Sequence, residues 1–220
     1  MTSLSAYPYA SECHGGHHRY LDATVLDILD TLPWHHHGRE RRVFELGCGN
    51  GSFANILHAR GYAVTAVDPS HSGIEIARSH FPEISFHIAS AYDDLAARFG
   101  QYMAVVSLEV VEHIFEPRRY AAAVFNLLVP GGTAIISTPY HSYFKNLALA
   151  LSGKMDRHFT ALWDFGHIKF WSMKTLGTLL REAGFCEIRF VRVGRVPPIA
   201  KSMIAIAKRP GAFAATACST

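Results

Sequence analysis

The stretch that most constrains this chain is Val43-Phe44-Glu45-Leu46-Gly47-Cys48-Gly49-Asn50-Gly51-Ser52-Phe53. A β-prone run passes into a glycine-rich turn, and a helical pattern over residues 51–60 starts where the turn ends. Glycine supplies positive φ at no steric cost and lets another group approach the backbone with no Cβ between them. A strand, glycine turn and helix in this order open a parallel α/β unit whose ligand lies at the carboxyl end of the strand. The glycines fall at the first, third and fifth places. In the dinucleotide-binding fingerprint they fall at the first, third and sixth, and here Ser52 holds that sixth place. The turn reads against a dinucleotide.

The rest of the chain keeps the same rhythm. Residues 42–46, 62–67, 84–88, 102–108, 133–138, 185–191 and 199–207 predict seven strands, with further helical patterns at 70–80, 117–129 and 173–183. Ser70 is an expected N-cap and Pro117 suits the first turn of its helix, while Pro130-Gly131-Gly132 and Gly184 are expected to end helices. Strands separated by helices of about ten residues pair in parallel through right-handed crossovers, which predicts an α/β sandwich. The connection at 194–198 is too short for a crossover, so the last two strands are expected as an antiparallel hairpin. With 220 residues, 49% hydrophobic and 18% charged, the chain suits one domain over 1–220. Within it, residues 1–40 are expected to give a helical cover for the ligand, with an amphipathic helix at 20–32. Residues 140–171 break the alternation as an aromatic-rich insertion, and 209–220 are expected to be a frayed tail.

Two acidic residues refine the ligand. Asp68 ends the second strand about twenty residues past the glycine turn, where a carboxylate can accept both hydroxyls of a ribose. The competing reading makes it a turn former before Pro69. Glu45 sits inside the first strand, a place a dinucleotide-binding strand normally keeps apolar, because a buried carboxylate needs a partner. A ligand that brings an ammonium group supplies one.

Glu45-Leu46-Gly47-Cys48-Gly49-Asn50-Gly51, Val67-Asp68, Ser107-Leu108-Glu109-Val110-Val111-Glu112-His113 and Leu128-Val129-Pro130-Gly131-Gly132 resemble the successive motifs of class I S-adenosylmethionine (AdoMet)-dependent methyltransferases. They occur in family order between about residues 40 and 207. The resemblance implies a Rossmann-like, seven-stranded, mostly parallel sheet with the last strand antiparallel, helices on both faces, and a helical cap inserted after strand 5. It implies AdoMet as cofactor, bound by Glu45, Gly47, Gly49, Gly51, Asp68, Pro69, Ser90, Ala91 and Leu108. Relatives carry an Asp where this chain has Ser90, and here the acid waits until Asp93.

Within that family the chain looks most like the ubiquinone-biosynthesis O-methyltransferase branch, through Glu109-x-x-Glu112-His113, Ser137-Thr138-Pro139 and Lys169-Phe170-Trp171-Ser172. This implies methyl transfer to an oxygen of a small molecule, with N-methylation or a non-catalytic AdoMet-binding module as alternatives. His113 and Glu109 become the candidate catalytic residues, His113 as general base by its near-neutral titration range. Glu109, Glu112 and His113 are the implied ligands of a Mg²⁺ ion. The insertion becomes an acceptor lid and a candidate peripheral membrane contact, while His141 and His167, which bracket it, are expected to be structural.

Composition bounds the remaining choices. A net charge of +3 with no compact Lys/Arg run argues against nucleic acid. Cys13, Cys48, Cys186 and Cys218 are scattered with no Cys-x-x-Cys, which fits a reducing cytoplasm. There is no basic stretch followed by an apolar one at the start, and no run of roughly 18 apolar residues that would cross a bilayer. The histidines at 17–18 and 35–37 lie in polar stretches and read as solvated loop. A cytoplasmic location is expected.

Overall fold

The computed structural model describes residues 19–34 and 40–211. His17, His18, His35–His37, Cys13, Cys218 and most of the expected tail lie outside the described residues. Seven strands form one sheet: β1 (Arg42–Leu46), β2 (Ala63–Asp68), β3 (Ser85–Ile88), β4 (Tyr102–Leu108), β5 (Leu128–Pro139), β6 (Cys186–Val193) and β7 (Ser202–Lys208). Their order is β3-β2-β1-β4-β5-β7-β6, all parallel except β7, which runs antiparallel to both β5 and β6. The chain leaves β1 toward one edge and returns to β4 on the other side, so the crevice between their carboxyl ends is the switch point where such sheets bind ligands.

Alternation along the strands sorts side chains to two faces. Phe44, Leu46 and Val105 join Tyr120, Val124, Leu176 and Leu180 in one buried cluster, under α5 (Pro117–Asn126) and α8 (Met173–Glu182). Val43, Ala104, Val106 and Ile204 join Leu21, Val25, Leu29, Leu57 and Ile74 in the other. That face is covered by α1 (Arg19–Asp30), α2 (Ser52–Ala59) and α3 (His71–His80). The described part of the expected N-terminal cover is therefore a core helix: Leu21, Val25 and Leu29 are fully buried, each worth up to about 1.5–3 kcal/mol. Only its start comes near the strand tips, where the Tyr20 hydroxyl meets Ser202 at 2.7 Å.

Local signals set most helix starts. Ser70 caps α3 by accepting the Gly73 amide, and Ser172 forms a capping box with Thr175 at α8. Pro117 opens α5. One short helix, α4 (Leu95–Phe99), capped by Asp94, was not expected. The Pro130-Gly131-Gly132 stretch is not a simple helix stop. α5 ends at Asn126 and β5 already pairs Leu128 with Tyr102, with a register shift before Ala104 meets Thr133. Proline lacks the ladder N–H and belongs at such irregularities; the Gly131 amide bonds to the Arg209 carbonyl instead. The insertion holds α6 (Tyr143–Leu151) and α7 (Met155–Phe159). No helix among the described residues is long and apolar enough to cross a membrane.

Candidate active site

The glycine turn and the tip of β2 are bound to each other. Gly47 and Cys48 donate their amides to the Val67 carbonyl at 2.8 and 3.0 Å, and Gly49 donates to Asp68 Oδ2 at 2.8 Å. Asp68 Oδ1 takes the Ser70 amide at 2.8 Å. Both carboxylate oxygens thus grip backbone, and each keeps a second lone pair. Burial pushes the Asp68 carboxyl up, and the two amide bonds pull it back. Gly47, Gly49 and Gly51 have φ of 85°, 53° and 80°, so the expected positive φ is present at all three. At Gly47 and Gly51 the missing Cβ also serves internal packing, because an added one would strike Val110 and the ring of Phe86. Asn50 and Ser52 bond to each other across the start of α2, and Gly51 gives that helix no side-chain cap.

Glu45 lies beside this cradle on β1, with only 2% of its surface exposed. Its Oε2 has no hydrogen-bond partner, and burial, with the Asp68 charge second, pushes its pKa up to about 8. An orphaned buried carboxyl of this kind fits a ligand ammonium group. Ser107 donates to the Leu46 carbonyl at 2.9 Å and so ties the tip of β4 to that of β1.

Glu109 follows β4 with φ 55°, a left-handed conformation that non-glycine residues seldom adopt. It is held there by its own amide, which donates to the Ser137 carbonyl (3.1 Å) and hydroxyl (3.0 Å). Ser137 donates to Oε1 at 2.8 Å, and Ser202 to Oε2 at 3.3 Å. Tyr20 completes the chain by donating to Ser202. Burial pushes Glu109 up to about 7, against the opposing pull of Ser137, Ser202 and Lys145. Tyr20 and Ser202 carry no local sequence signal for this role. Antiparallel pairing of β7 with β5, Pro139 opposite Ser202, brings the serine to the tip.

At the third tip, the Ser90 amide donates to Asp93 Oδ2 at 2.8 Å, so the late acid folds back onto the position expected to meet adenine. Ala91 is buried in the core and Pro69 is exposed. Leu108 is partly buried against the α1–α3 face.

The insertion returns to the sheet through the Val111–His113 turn. Ile168 and Lys169 both donate their amides to the Glu112 carbonyl at 3.0 Å, and Trp171 Nε1 donates to the Val111 carbonyl at 3.2 Å. His113 Nδ1 donates to the carbonyls of Phe165 (2.9 Å) and Gly166 (3.2 Å). Its pKa is lowered by burial, against the pull of those carbonyls. The ligand set implied for Mg²⁺ does not come together as expected. Glu109 faces Ser137 and Ser202, while the groups that converge among the described residues are Glu112, His113 and His167, with one ligand atom from each within 4.8 Å of the others. His141 stacks on Phe159 with ring centroids 5.8 Å apart, and burial lowers it to about 4.

Residues 16–187 match the family described as a methyltransferase domain. The chain belongs to that family. It is 29% identical over 148 residues to the ubiquinone biosynthesis O-methyltransferase of Aromatoleum aromaticum, covering 66% of this chain and 63% of that protein. It is 36% identical over 116 residues to the protein of the same name from Caulobacter sp. strain K31, covering 51% and 46%. The chain thus matches between about half and two thirds of these relatives' length. Among solved structures, magnesium protoporphyrin IX methyltransferase (ChlM) from Synechocystis PCC 6803 with bound SAH superposes with TM-score 0.62 at 20% identity, covering 86% of this chain and 83% of that one. The fold is that of class I AdoMet-dependent methyltransferases, and family membership supports AdoMet as the methyl donor.

Proposed function

We propose that this methyltransferase moves the AdoMet methyl group to an oxygen of a small molecule bound beneath the insertion, with Glu109 receiving the acceptor's proton. In this reading Gly47, Gly49 and Gly51 cradle the methionine part, Glu45 meets its ammonium, and Asp68 holds the ribose with Pro69 beside it. Ser90, the backbone of Ala91, and Leu108 complete the cofactor site. The acceptor oxygen attacks the methyl carbon, the C–S bond breaks with its electron pair going to sulfur, and the proton leaves to a base. The sulfonium is already a good leaving group, so the protein's task is alignment, an effect able to supply about 7–11 kcal/mol when reactants are held in line.

The observation that carries this reading is the carboxyl of Glu109 at the β4 tip, next to the cradle and pushed to about 7. A base titrating near the working pH is the most effective proton acceptor. His113 is the weaker choice: Nδ1 is committed to two lid carbonyls and its basicity is reduced. Mg²⁺ has no part in the proposal, because one carboxylate and two imidazoles are a poor donor set for a cation that demands oxygen. A mostly apolar cleft of about 530 Å³ in the insertion, lined by Met155, Phe159, Leu162 and Trp163, supports an acceptor with an apolar part. The outward face of α6, with Phe144, Leu147 and Leu151 exposed near Lys154 and Arg157, supports contact with an anionic membrane surface.

Calorimetric titration with AdoMet, S-adenosylhomocysteine and NAD, followed by transfer of labelled methyl to a panel of phenols and amines, tests the proposal. Binding of the first two ligands and labelling of a phenol are expected. Binding of NAD alone, or labelling of amines alone, overturns it.

A further inference from the structure

Among the described residues, Glu112 combines full burial with poor hydrogen bonding of its carboxylate. The Thr138 hydroxyl and its own amide lie near the carboxylate, but neither oxygen has a partner at good hydrogen-bond geometry. His167 Nε2 lies 4.0 Å from Oε1, too far for a hydrogen bond. An ionised carboxylate without donors costs several kcal/mol. The backbone around it is, by contrast, tightly built. The Glu112 carbonyl takes two amides from residues 168 and 169, and His113 is fixed by two carbonyls of the insertion. Phe165, whose carbonyl accepts from His113, is held at φ 61°, and Gly166 has no room for a Cβ against the Trp163 carbonyl. Strain retained at such a place points to a local geometry that matters.

Donation from His113 Nδ1 leaves the lone pair of the neutral ring on Nε2, the arrangement in which imidazoles serve as metal ligands. The His113 and His167 rings lie 5.0 Å apart, and Trp163 closes one side at 5.4 Å from His167. We infer that Glu112, His113 and His167 form a site for a first-row transition ion of the Zn²⁺ type, which latches the insertion to the turn after β4. Two nitrogens and one carboxylate select such ions over Mg²⁺. Ligand atoms around a tetrahedral ion of this size lie roughly 3.3–3.5 Å apart, so the trio closes inward from its 4.8 Å limit. This differs from the set implied by sequence resemblance in its ligands, its ion and its role, since Glu109 is left to the acceptor. It does not depend on which molecule is methylated.

The test is equilibrium dialysis of the full chain against Zn²⁺, with Mg²⁺ in hundredfold excess as competitor. Parent protein, His167→Ala, Glu112→Gln and Glu109→Gln are compared, with thermal midpoints and trypsin cleavage of residues 140–171 as second readouts. Histidines elsewhere bind Zn²⁺ in every variant, so the difference is what counts. Parent and Glu109→Gln are expected to hold one equivalent more than His167→Ala and Glu112→Gln. Zn²⁺ should also raise the midpoint and slow cleavage in the first pair alone. His167→Gln stands in if the alanine variant does not fold. Equal binding by parent and His167→Ala, equal loss in Glu109→Gln, or displacement by Mg²⁺ overturns the inference. AdoMet titration of the same samples separates the two proposals: retained AdoMet binding without a Zn²⁺ difference sinks only the latch, and a Zn²⁺ difference without AdoMet binding sinks only the methyl-transfer reading.

Discussion

At the glycine turn, the amides of Gly47, Cys48 and Gly49 are all bonded to the tip of β2. In the insertion, α6 buries none of its nine residues. The glycine turn is tied to the sheet itself, whose strands pack on both faces. The insertion is hung from the sheet at its root, through Glu112, His113 and Trp171, and offers Tyr143, Leu151 and Leu162 to solvent at 95%, 81% and 99% exposure. Regions with few buried apolar contacts open at low free energy, and ligand lids are drawn from them. The contrast teaches a division of labour. On the proposed reading, a cofactor common to many enzymes is held by the rigid part, and the acceptor by the part whose packing does not support the rest.

Four variants would break or sharpen that division. The largest effect is expected for Glu109→Gln, which should lower turnover by about 10²–10⁴-fold while leaving AdoMet affinity near that of the parent, as expected on loss of a general base; single-turnover methylation and calorimetry measure the two separately. A parallel loss of AdoMet affinity would show that Glu109 belongs to the cradle. Next is Asp68→Ala. It leaves the Gly49 and Ser70 amides unpaired and should cost about 1–3 kcal/mol of stability for each, besides weakening AdoMet binding by about 1–3 kcal/mol through the lost charge-assisted bonds. Denaturant melts with and without AdoMet check both, and an unchanged melt would mean the tips are not bound as described.

Glu45 supplies the pH test. Its folded pKa of about 8 lies above its ordinary 4.5, so between these values the folded state holds the proton more tightly than the unfolded chain. Stability of the ligand-free protein should therefore fall as pH rises through that window, and Glu45→Gln should flatten the slope. An AdoMet ammonium beside Glu45 would favour the charged form, so binding near neutral pH should release a proton. Calorimetry in two buffers of different ionisation enthalpy reads that release. The smallest effect is expected for Phe144→Ser with Leu147→Ser on the exposed face of α6, within about 0.5 kcal/mol of parent stability. Their sedimentation with anionic vesicles should nevertheless drop. A large loss of stability would show that α6 is part of the core.

Much of the candidate site's local geometry was readable before the fold. Gly47, Gly49, Gly51 and Asp68 were legible because a positive-φ turn and an acidic strand end are local chemistry, written in adjacent residues. Glu45 stood out because a carboxylate inside an apolar strand conflicts with its surroundings. Ser70, Ser172 and Pro117 announce helix starts for the same local reason. Errors arose where a residue answers to distant partners. The 130–132 stretch reads as a stop by itself, and only Arg209 supplies its partner.

What the sequence determined by itself is the α/β rhythm, the parallel core, and the glycine turn and acidic end of the first two strands, since all follow from periodicity and from residues close in the chain. What only the tertiary structure decided is the company each acid keeps. Ser202, 93 residues from Glu109, reaches it because β7 runs antiparallel beside β5. His167 joins Glu112 and His113 because two amides of the returning insertion bind the Glu112 carbonyl. Pairings of this kind depend on strand register and loop closure, which couple residues by space, and no spacing along the chain encodes them.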